Sequence, residues 1–196
     1  MQDVFYEESA RIQDAKPAAT KYYIFKTLSI FSYVLMVLWI FVMIFFYPLP
    51  EAGMNILVWL IFIILPLALF FFSGFILGKM KNKFYVEFDY TFVTGSVRIS
   101  QVIKNTKRKG VIKFETTDIE KIGKYGSETF EKYYKMPNVN KLILTSNVTP
   151  DEEKDFFYIV VNVEATKKLL ILECTEKFIV HVLKFSRKGV LEENYK

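Results

Sequence analysis

The sequence predicts a membrane-anchored α+β protein: a two-helix transmembrane hairpin, followed by a bent antiparallel sheet of about seven strands that a C-terminal helix closes. Three observations lead to this fold class. Two long apolar runs lie near the N-terminus, short segments of alternating apolar and polar residues follow them, and an amphipathic helical pattern comes last. The predicted domains are an N-terminal segment over 1–26, the hairpin over 27–78 and a globular domain over 82–196.

The apolar runs extend from Thr27 to Tyr47 and from Ile56 to Gly78. A helix needs roughly 20 apolar residues to cross the hydrocarbon core of a bilayer. Because backbone polar groups in lipid must be bonded within their own segment, both runs are expected to be helices. Glu51, in the break between them, is the only acidic or basic side chain within these limits. Spans without charged groups are unlike the ion and proton pathways of transporters and channels.

The distribution of basic residues predicts that both termini face the cytoplasm. Lysines and arginines flank the hairpin on both sides, whereas the connecting loop 48–55 has none. Basic residues near the ends of a span stay on the cytoplasmic side. The predicted location is therefore the cell membrane, in a multi-pass topology. A cleaved signal peptide is the competing interpretation of the first run, but its apolar part is too long and no small-residue cleavage site precedes Pro48.

The N-terminal segment before the first span has two open interpretations. Asp3 or Ser9 can cap a short helix whose apolar edge lies on the inner leaflet. The alternative is a disordered terminus.

Small residues in the two apolar runs are expected to pack the helices together. In an antiparallel hairpin, Ser29 and Ser32 come level with the part of the second helix that contains Gly74. Gly74 and Gly78 also form a small-xxx-small pair, which allows close backbone approach. Packing within the hairpin is one interpretation, and a homo-oligomer formed through Gly74 and Gly78 is the other.

After Lys83 the pattern changes from helical to a period of two. Phe88 and Tyr90 are predicted to point into a core while Glu87 and Asp89 point outward, as in a half-buried strand. Thr94-Gly95 is predicted to be a tight turn, and Asn105 to Gly110 the next one. A helix capped by Ser127 and further strands follow. A last helix is predicted to begin at Thr175 and to stop at Gly189.

Composition excludes some functions. Residues 82–196 carry 20 lysines and arginines against 16 aspartates and glutamates, a net charge of +4. Because these charges are interspersed, they predict a soluble surface and no nucleic-acid partner. No phosphate loop or paired metal ligands occur, so no cofactor and no metal are expected. His181 lacks a second ligand at a useful spacing. The single cysteine, Cys174, excludes an internal disulfide and fits a reducing compartment.

Four basic residues stand out between the second and third predicted strands: Lys104, Lys107, Arg108 and Lys109. They are predicted to crowd one turn on the side of the globular domain nearest to its membrane tether. Each basic residue near an anionic leaflet gains roughly 1 kcal/mol. The cluster is therefore a weak candidate for contact with lipid headgroups, and a solvated turn is the simpler interpretation.

The globular part resembles the bacterial pleckstrin-homology-like (PH-like) domains. The corner from Phe114 to Ile122 is similar to their passage from the third to the fourth strand. The opening Asp3 to Glu7 and the run from Tyr90 to Ile99 also resemble an uncharacterised family of small Gram-positive bacterial membrane proteins. The resemblance implies seven strands and a closing helix, and it transfers no catalytic residue.

These observations favour a non-enzymatic, membrane-tethered interaction module that presents a sheet edge or groove to a protein partner, or its surface to the anionic membrane lipid. Two alternatives remain. One is an accessory subunit of a membrane transport or envelope complex. The other is an enzyme acting on lipid, with Cys174 or the loop Tyr125-Gly126-Ser127 at its site.

Overall fold

The computed structural model describes residues 4–46 and 55–193, which form two compact units. One unit is Asp14–Tyr85, and the other combines the residues up to Gln13 with the chain from Val86 onward. The strands are β1 Phe5–Ala10, β2 Val86–Val93, β3 Ser96–Ile103, β4 Lys107–Glu115, β5 Ile119–Lys124, β6 Asn140–Ile143, β7 Asp155–Val163 and β8 Thr166–Cys174. The α-helices are α1 Ala15–Phe46, α2 Ile56–Met80, α3 Glu128–Lys135 and α4 Glu176–Phe185.

Helices α1 and α2 form the hairpin unit, and each is long and apolar enough to cross a membrane. Helix α1 begins well before the apolar run. Pro17 is compatible with this start because the first N–H groups of a helix have no partner inside the helix. Asn55 caps α2, its side chain accepting a hydrogen bond from the Leu57 N–H at 2.9 Å. Tyr47 and Glu51 lie outside the described residues.

The first sheet has the order β1-β2-β3-β4, with every neighbouring pair antiparallel. Strand β1 precedes the hairpin, and β2 follows it. Over Phe5–Ala10 both interpretations of the N-terminal segment are therefore wrong, because this stretch is neither a helix nor disordered. It is a strand because β2 offers it a free edge and because Ala10 packs into the core. The segment predicted as a separate unit over 1–26 is thus divided between the globular unit and α1.

The second sheet has the order β5-β7-β8-β6, in which β6 and β8 run parallel. The predicted fold class is confirmed, with eight strands in two sheets where one bent sheet of about seven was expected. Seven of the eight follow the hairpin, and the eighth is β1.

The core lies between the sheets and under α4. Phe92, Phe157 and Leu172 are fully buried there, together with Phe178 and Val182 of α4. A second cluster joins α3 to the other face of the second sheet. Strands β7 and β8 are consequently buried on both faces, which explains their continuous apolar runs.

The ends of two predicted elements differ from the structure. Helix α4 ends at Phe185, and Gly189 follows it in the left-handed region with a φ of 84°. Strand β4 begins at Lys107 rather than after Gly110. The preceding turn is tighter than predicted because Ile103 pairs with Lys107, which leaves three residues in the loop, and Lys104 and Asn105 reverse the chain with positive φ.

Candidate functional site

The four basic residues do not share one turn, which corrects the sequence prediction. Lys104 lies in the turn, while Lys107, Arg108 and Lys109 are the first residues of edge strand β4. Side chains alternate across a strand. Lys107 and Lys109 therefore lie on one face of the first sheet and Arg108 on the other, so strand geometry separates the cluster into two parts.

Arg108 turns toward the outer face of the first sheet, the face away from the core. Its Nη2 atom lies 3.2 Å from Oδ2 of Asp89, an ion pair whose geometry falls short of a hydrogen bond. The Ser9 hydroxyl of β1 donates to the other carboxylate oxygen, Oδ1, at 2.7 Å. Three strands thus converge on one buried carboxylate, and the predicted outward exposure of Asp89 is wrong.

Beside this pair lies a polar pocket of about 320 Å³, which we call the outer-face pocket. It is lined by Ser9, Arg11, Glu87, Asp89, Val102, Asn105 and Arg108. Glu87 was also predicted to be exposed, yet only 8% of its surface is accessible. Its carboxylate makes no hydrogen bond or ion pair with any other residue that the structure describes. The alternation in β2 marks Glu87 and Asp89 as sharing a face, but nothing in the sequence predicts that β1 brings Ser9 and Arg11 to them.

An apolar groove lies at the edge of the second sheet, beside β6. It has a volume of about 220 Å³ and contains Tyr125, Ile143, Val148 and Phe156 in its lining. Ile143 and Val148 are 64% and 93% exposed, which is unusual for aliphatic side chains. Within the described chain, β6 pairs on one side only, with β8. Exposed apolar side chains therefore stand next to an open strand edge.

A buried carboxylate fixes the loop beside this groove. Glu173 has no accessible surface and accepts a hydrogen bond from the Thr145 hydroxyl at 2.5 Å. It also accepts bonds from the Asn147 side-chain amide at 2.9 Å and from the Asp151 N–H at 3.1 Å. The same Asn147 amide donates to the Arg11 carbonyl at 2.7 Å. Glu173 thus ties the loop to the segment that follows β1.

The side chains considered for catalysis have structural surroundings. Cys174 is fully buried in the core, and this burial raises the pKa of its thiol well above the ordinary value, with Glu8 adding to the effect. A thiol held protonated is a poor nucleophile. The Ser127 hydroxyl accepts a hydrogen bond from the Phe130 N–H at 3.2 Å and caps α3, as predicted. The His181 ring packs against the Tyr6 ring, with 4.9 Å between the ring centroids and 33° between the ring planes.

In the hairpin unit, the structure brings the four small residues to the interface between α1 and α2. The Ser29 hydroxyl donates to the Gly74 carbonyl at 2.7 Å. Ser32 and Ser73 are joined through their hydroxyls at 2.8 Å. A Cβ atom placed on Gly78 would lie 3.2 Å from the Ser29 oxygen. Gly74 and Gly78 therefore both face α1 of the same chain.

The sequence profile of the family described as bacterial PH-like domain (DUF6106) matches residues 2–192. The chain belongs to this family. No curated protein and no solved structure matches the chain significantly.

As a bacterial PH-like protein, the chain carries its hairpin inside the domain rather than in front of it. The family profile spans both the strand before the hairpin and those after it. PH-like domains are generally non-catalytic. Within the described residues, no group of three or more histidine, cysteine, aspartate or glutamate side chains is placed to hold a metal ion.

Proposed function

We propose that this protein is a non-catalytic, membrane-tethered interaction module whose PH-like domain binds an extended segment of a protein partner along β6. The observation that carries the proposal is the apolar groove beside an unpaired strand edge. A peptide added to such an edge gains main-chain hydrogen bonds, and pockets for alternate side chains give specificity. The tether concentrates the domain at the membrane.

The groove also restricts the chemistry of the segment. Ile143 and Val148 favour apolar side chains because their exposed surface becomes buried on binding. Lys141 on β6 lies over the Tyr134 ring at 4.6 Å and has no carboxylate partner among the described residues. We therefore expect an extended segment with alternating apolar residues and an acidic residue opposite Lys141.

Photo-crosslinking in membranes tests this proposal. A photoreactive residue placed at Ile143 or Val148 should give one recurring crosslinked polypeptide, whereas the same residue at Val111, a partly exposed position on β4, should not. A synthetic peptide from the crosslinked region should bind the purified protein, and Ile143→Lys should abolish that binding. Equal crosslinking from Val111 would overturn the proposal, and so would crosslinks to a second copy of this chain alone.

The connectivity supports the proposed topology. Strands β1 and β2 pair in one sheet, which supports an arrangement with both ends of the hairpin on the same side of the membrane. The flanking lysines favour the cytoplasmic side. A reporter fused after Lys196 should therefore be active in the cytoplasm, as should one fused before Met1. Activity of the two reporters on opposite sides would contradict the arrangement.

The exposed lysines of β4 supply a second, weaker contact in this proposal. Lys107 and Lys109 share one face of the edge strand and are exposed. Attraction of about 1 kcal/mol for each residue near an anionic leaflet would assist the tether without replacing it. Arg108 contributes less because Asp89 already neutralises it.

A further inference from the structure

The outer-face pocket contains two charges of opposite sign, those of Glu87 and Arg11, that have no ion-pair partner among the residues that the structure describes. Of its acidic groups, Asp89 is held by Ser9 and Arg108, whereas Glu87 is more than nine-tenths buried and has no hydrogen bond or ion pair within the described chain. Its carboxylate lines the pocket and is reached from there. The Glu87 carboxylate can therefore pair with a cationic group of a ligand that enters the pocket.

Arg11 supplies the complementary charge. It follows β1, lines the same pocket and is exposed, and its guanidinium pairs with no carboxylate that the structure describes. The main chain of Arg11 is fixed by the Asn147 amide at 2.7 Å. The guanidinium is therefore presented from an anchored backbone and offers a planar set of donors to a carboxylate or phosphate.

We propose that the outer-face pocket binds a small zwitterion, whose cationic group pairs with Glu87 and whose anionic group pairs with Arg11. The volume of about 320 Å³ is at the lower end of the range for ligand pockets and fits a molecule of amino-acid or headgroup size.

The charges of the pocket disfavour simpler ligands. A lone anion would meet the carboxylates of Glu87 and Asp89, and a metal cation would meet two guanidinium groups. Since Arg11 and Arg108 balance Glu87 and Asp89, a ligand without net charge leaves this balance unchanged. A zwitterion satisfies both free groups at once.

Isothermal titration calorimetry on the full-length protein in detergent tests the proposal with four probes. Glycerophosphoethanolamine and glycine are the zwitterions without net charge, and inorganic phosphate and ethylamine carry the anionic or the cationic group alone. We expect saturable binding of at least one zwitterion, at least about tenfold tighter than either single-charge probe, which corresponds to one charge-assisted hydrogen bond. This comparison needs no variant.

Four variants locate the binding. Glu87→Gln and Arg11→Gln should each weaken it at least about tenfold. Glu7→Gln and Arg98→Gln are the matched controls, because register places both residues on the same outer face beside Thr91, outside the pocket. These two should bind as the unmodified protein does, and thermal melting should verify that all four variants fold.

Three results would overturn the proposal: no saturable binding of either zwitterion at millimolar concentration, equal affinity for phosphate alone, or no effect of Glu87→Gln and Arg11→Gln. The source of the ligand is tested in lipid nanodiscs. If a phosphatidylethanolamine headgroup occupies the pocket, nanodiscs of that lipid should weaken the binding of free glycerophosphoethanolamine relative to phosphatidylcholine nanodiscs. Equal binding in the two nanodiscs would point to a free zwitterion, and either result supports the site.

Discussion

Glu173 organises distant parts of the globular unit through a single buried carboxylate. Its two oxygens accept hydrogen bonds from two side chains and one backbone N–H of the loop after β6. In Glu173→Gln, an NH₂ group replaces one of these acceptor oxygens. A hydrogen-bond donor would then face the donors of the loop, and at least one of them would lose its acceptor. Buried polar groups that lose their partners cost more than the bond itself contributed.

We expect Glu173→Gln to lower the free energy of unfolding by about 2 kcal/mol. Chemical unfolding in detergent, followed by near-ultraviolet circular dichroism, measures the change. Glu152→Gln is the control, since Glu152 is an exposed carboxylate of the neighbouring loop. Equal stability of the two variants would show that the network around Glu173 contributes little.

The surroundings of Tyr133 predict that the folded protein loses stability as the pH rises in the alkaline range. Burial and the hydrogen bond to the Glu120 carboxylate at 2.8 Å raise the pKa of Tyr133 to about 12. An unfolded tyrosine titrates near pH 10. Because the pKa in the folded state is the higher one, this contribution to stability is complete below about pH 10 and is lost as the pH rises toward about 12.

Thermal unfolding at about pH 9 and about pH 11 measures this loss. The Tyr133→Phe variant should lose less stability over this interval than the unmodified protein, because it lacks the titrating hydroxyl. Tyr134→Phe, at the exposed neighbouring position, should behave as the unmodified protein does. Identical pH dependence in all three proteins would contradict the expectation.

At the scale of elements, a segment from each end of the chain pairs with one sheet: β1 adds to the first sheet beside β2, and the residues after α4 pair with β5 of the second. Strand β1 pairs with the edge of β2. Its Glu8 carboxylate also accepts a hydrogen bond from the Thr175 N–H at 2.9 Å and so provides a partner for the backbone at the start of α4. After α4, the Ile122 N–H of β5 donates a hydrogen bond to the Val190 carbonyl, and the Glu192 N–H donates one to the Ile122 carbonyl, each at 2.9 Å. Strands β1 and β4 remain the outer strands of the first sheet, and β6 remains an outer strand of the second, beside the apolar groove.

The pairing of the C-terminal segment with β5 leaves no room for a side chain at Gly123. A Cβ atom there would lie 2.7 Å from Cε1 of the buried Tyr158 ring and would clash with the Glu192 carboxylate. Gly110 on β4 has open space at the same atom, so it provides a matched control. We expect Gly123→Ala to destabilise the fold by about 2 kcal/mol through overpacking, and Gly110→Ala to cost much less.

Urea unfolding of the two glycine variants tests the comparison, and hydrogen exchange reports whether the main chain at Val190 and Glu192 detaches from β5. A Gly123→Ala variant as stable as Gly110→Ala, with unchanged exchange at the C-terminal segment, would contradict the proposed role of Gly123.

At the scale of the whole molecule, the globular unit has two pieces of chain but one core. Ala10 lies in the same cluster as Phe88 and Phe178, although the complete hairpin separates β1 from β2 in sequence. The fragment 82–196, chosen from the sequence as a domain, lacks one strand of its first sheet.

A chain in which a flexible linker replaces residues 14–85 should fold as a soluble domain, because it retains both pieces of this unit. The fragment 82–196 should be less stable, since the edge of β2 and the start of α4 lose their partners. Circular dichroism and thermal melting of the two proteins test this. Equal stability would mean that β1 adds little to the core.

The sequence by itself determined the features that depend on local pattern. Long apolar runs can satisfy their backbones in lipid only as helices, and strict alternation after Lys83 identifies a strand with Tyr90 and Phe92 inward. Caps such as Ser127 are also local, since a hydroxyl bonds to an N–H three residues away. These features are fixed by residues that are neighbours along the chain.

Only the tertiary structure decided which distant segments meet. Strand β1 is too short and polar to be recognised alone, and it is a strand because β2, about eighty residues later, supplies its hydrogen bonds. The same pairing brings Ser9 and Arg11 to Asp89 and Glu87 and thereby leaves little exposed surface on two acidic residues that alternation placed in solvent. The exposure of a side chain depends on which residues pack over it. Here Ser9 and Arg11 precede the hairpin, whereas Glu87 and Asp89 follow it, so local pattern does not reveal their contact.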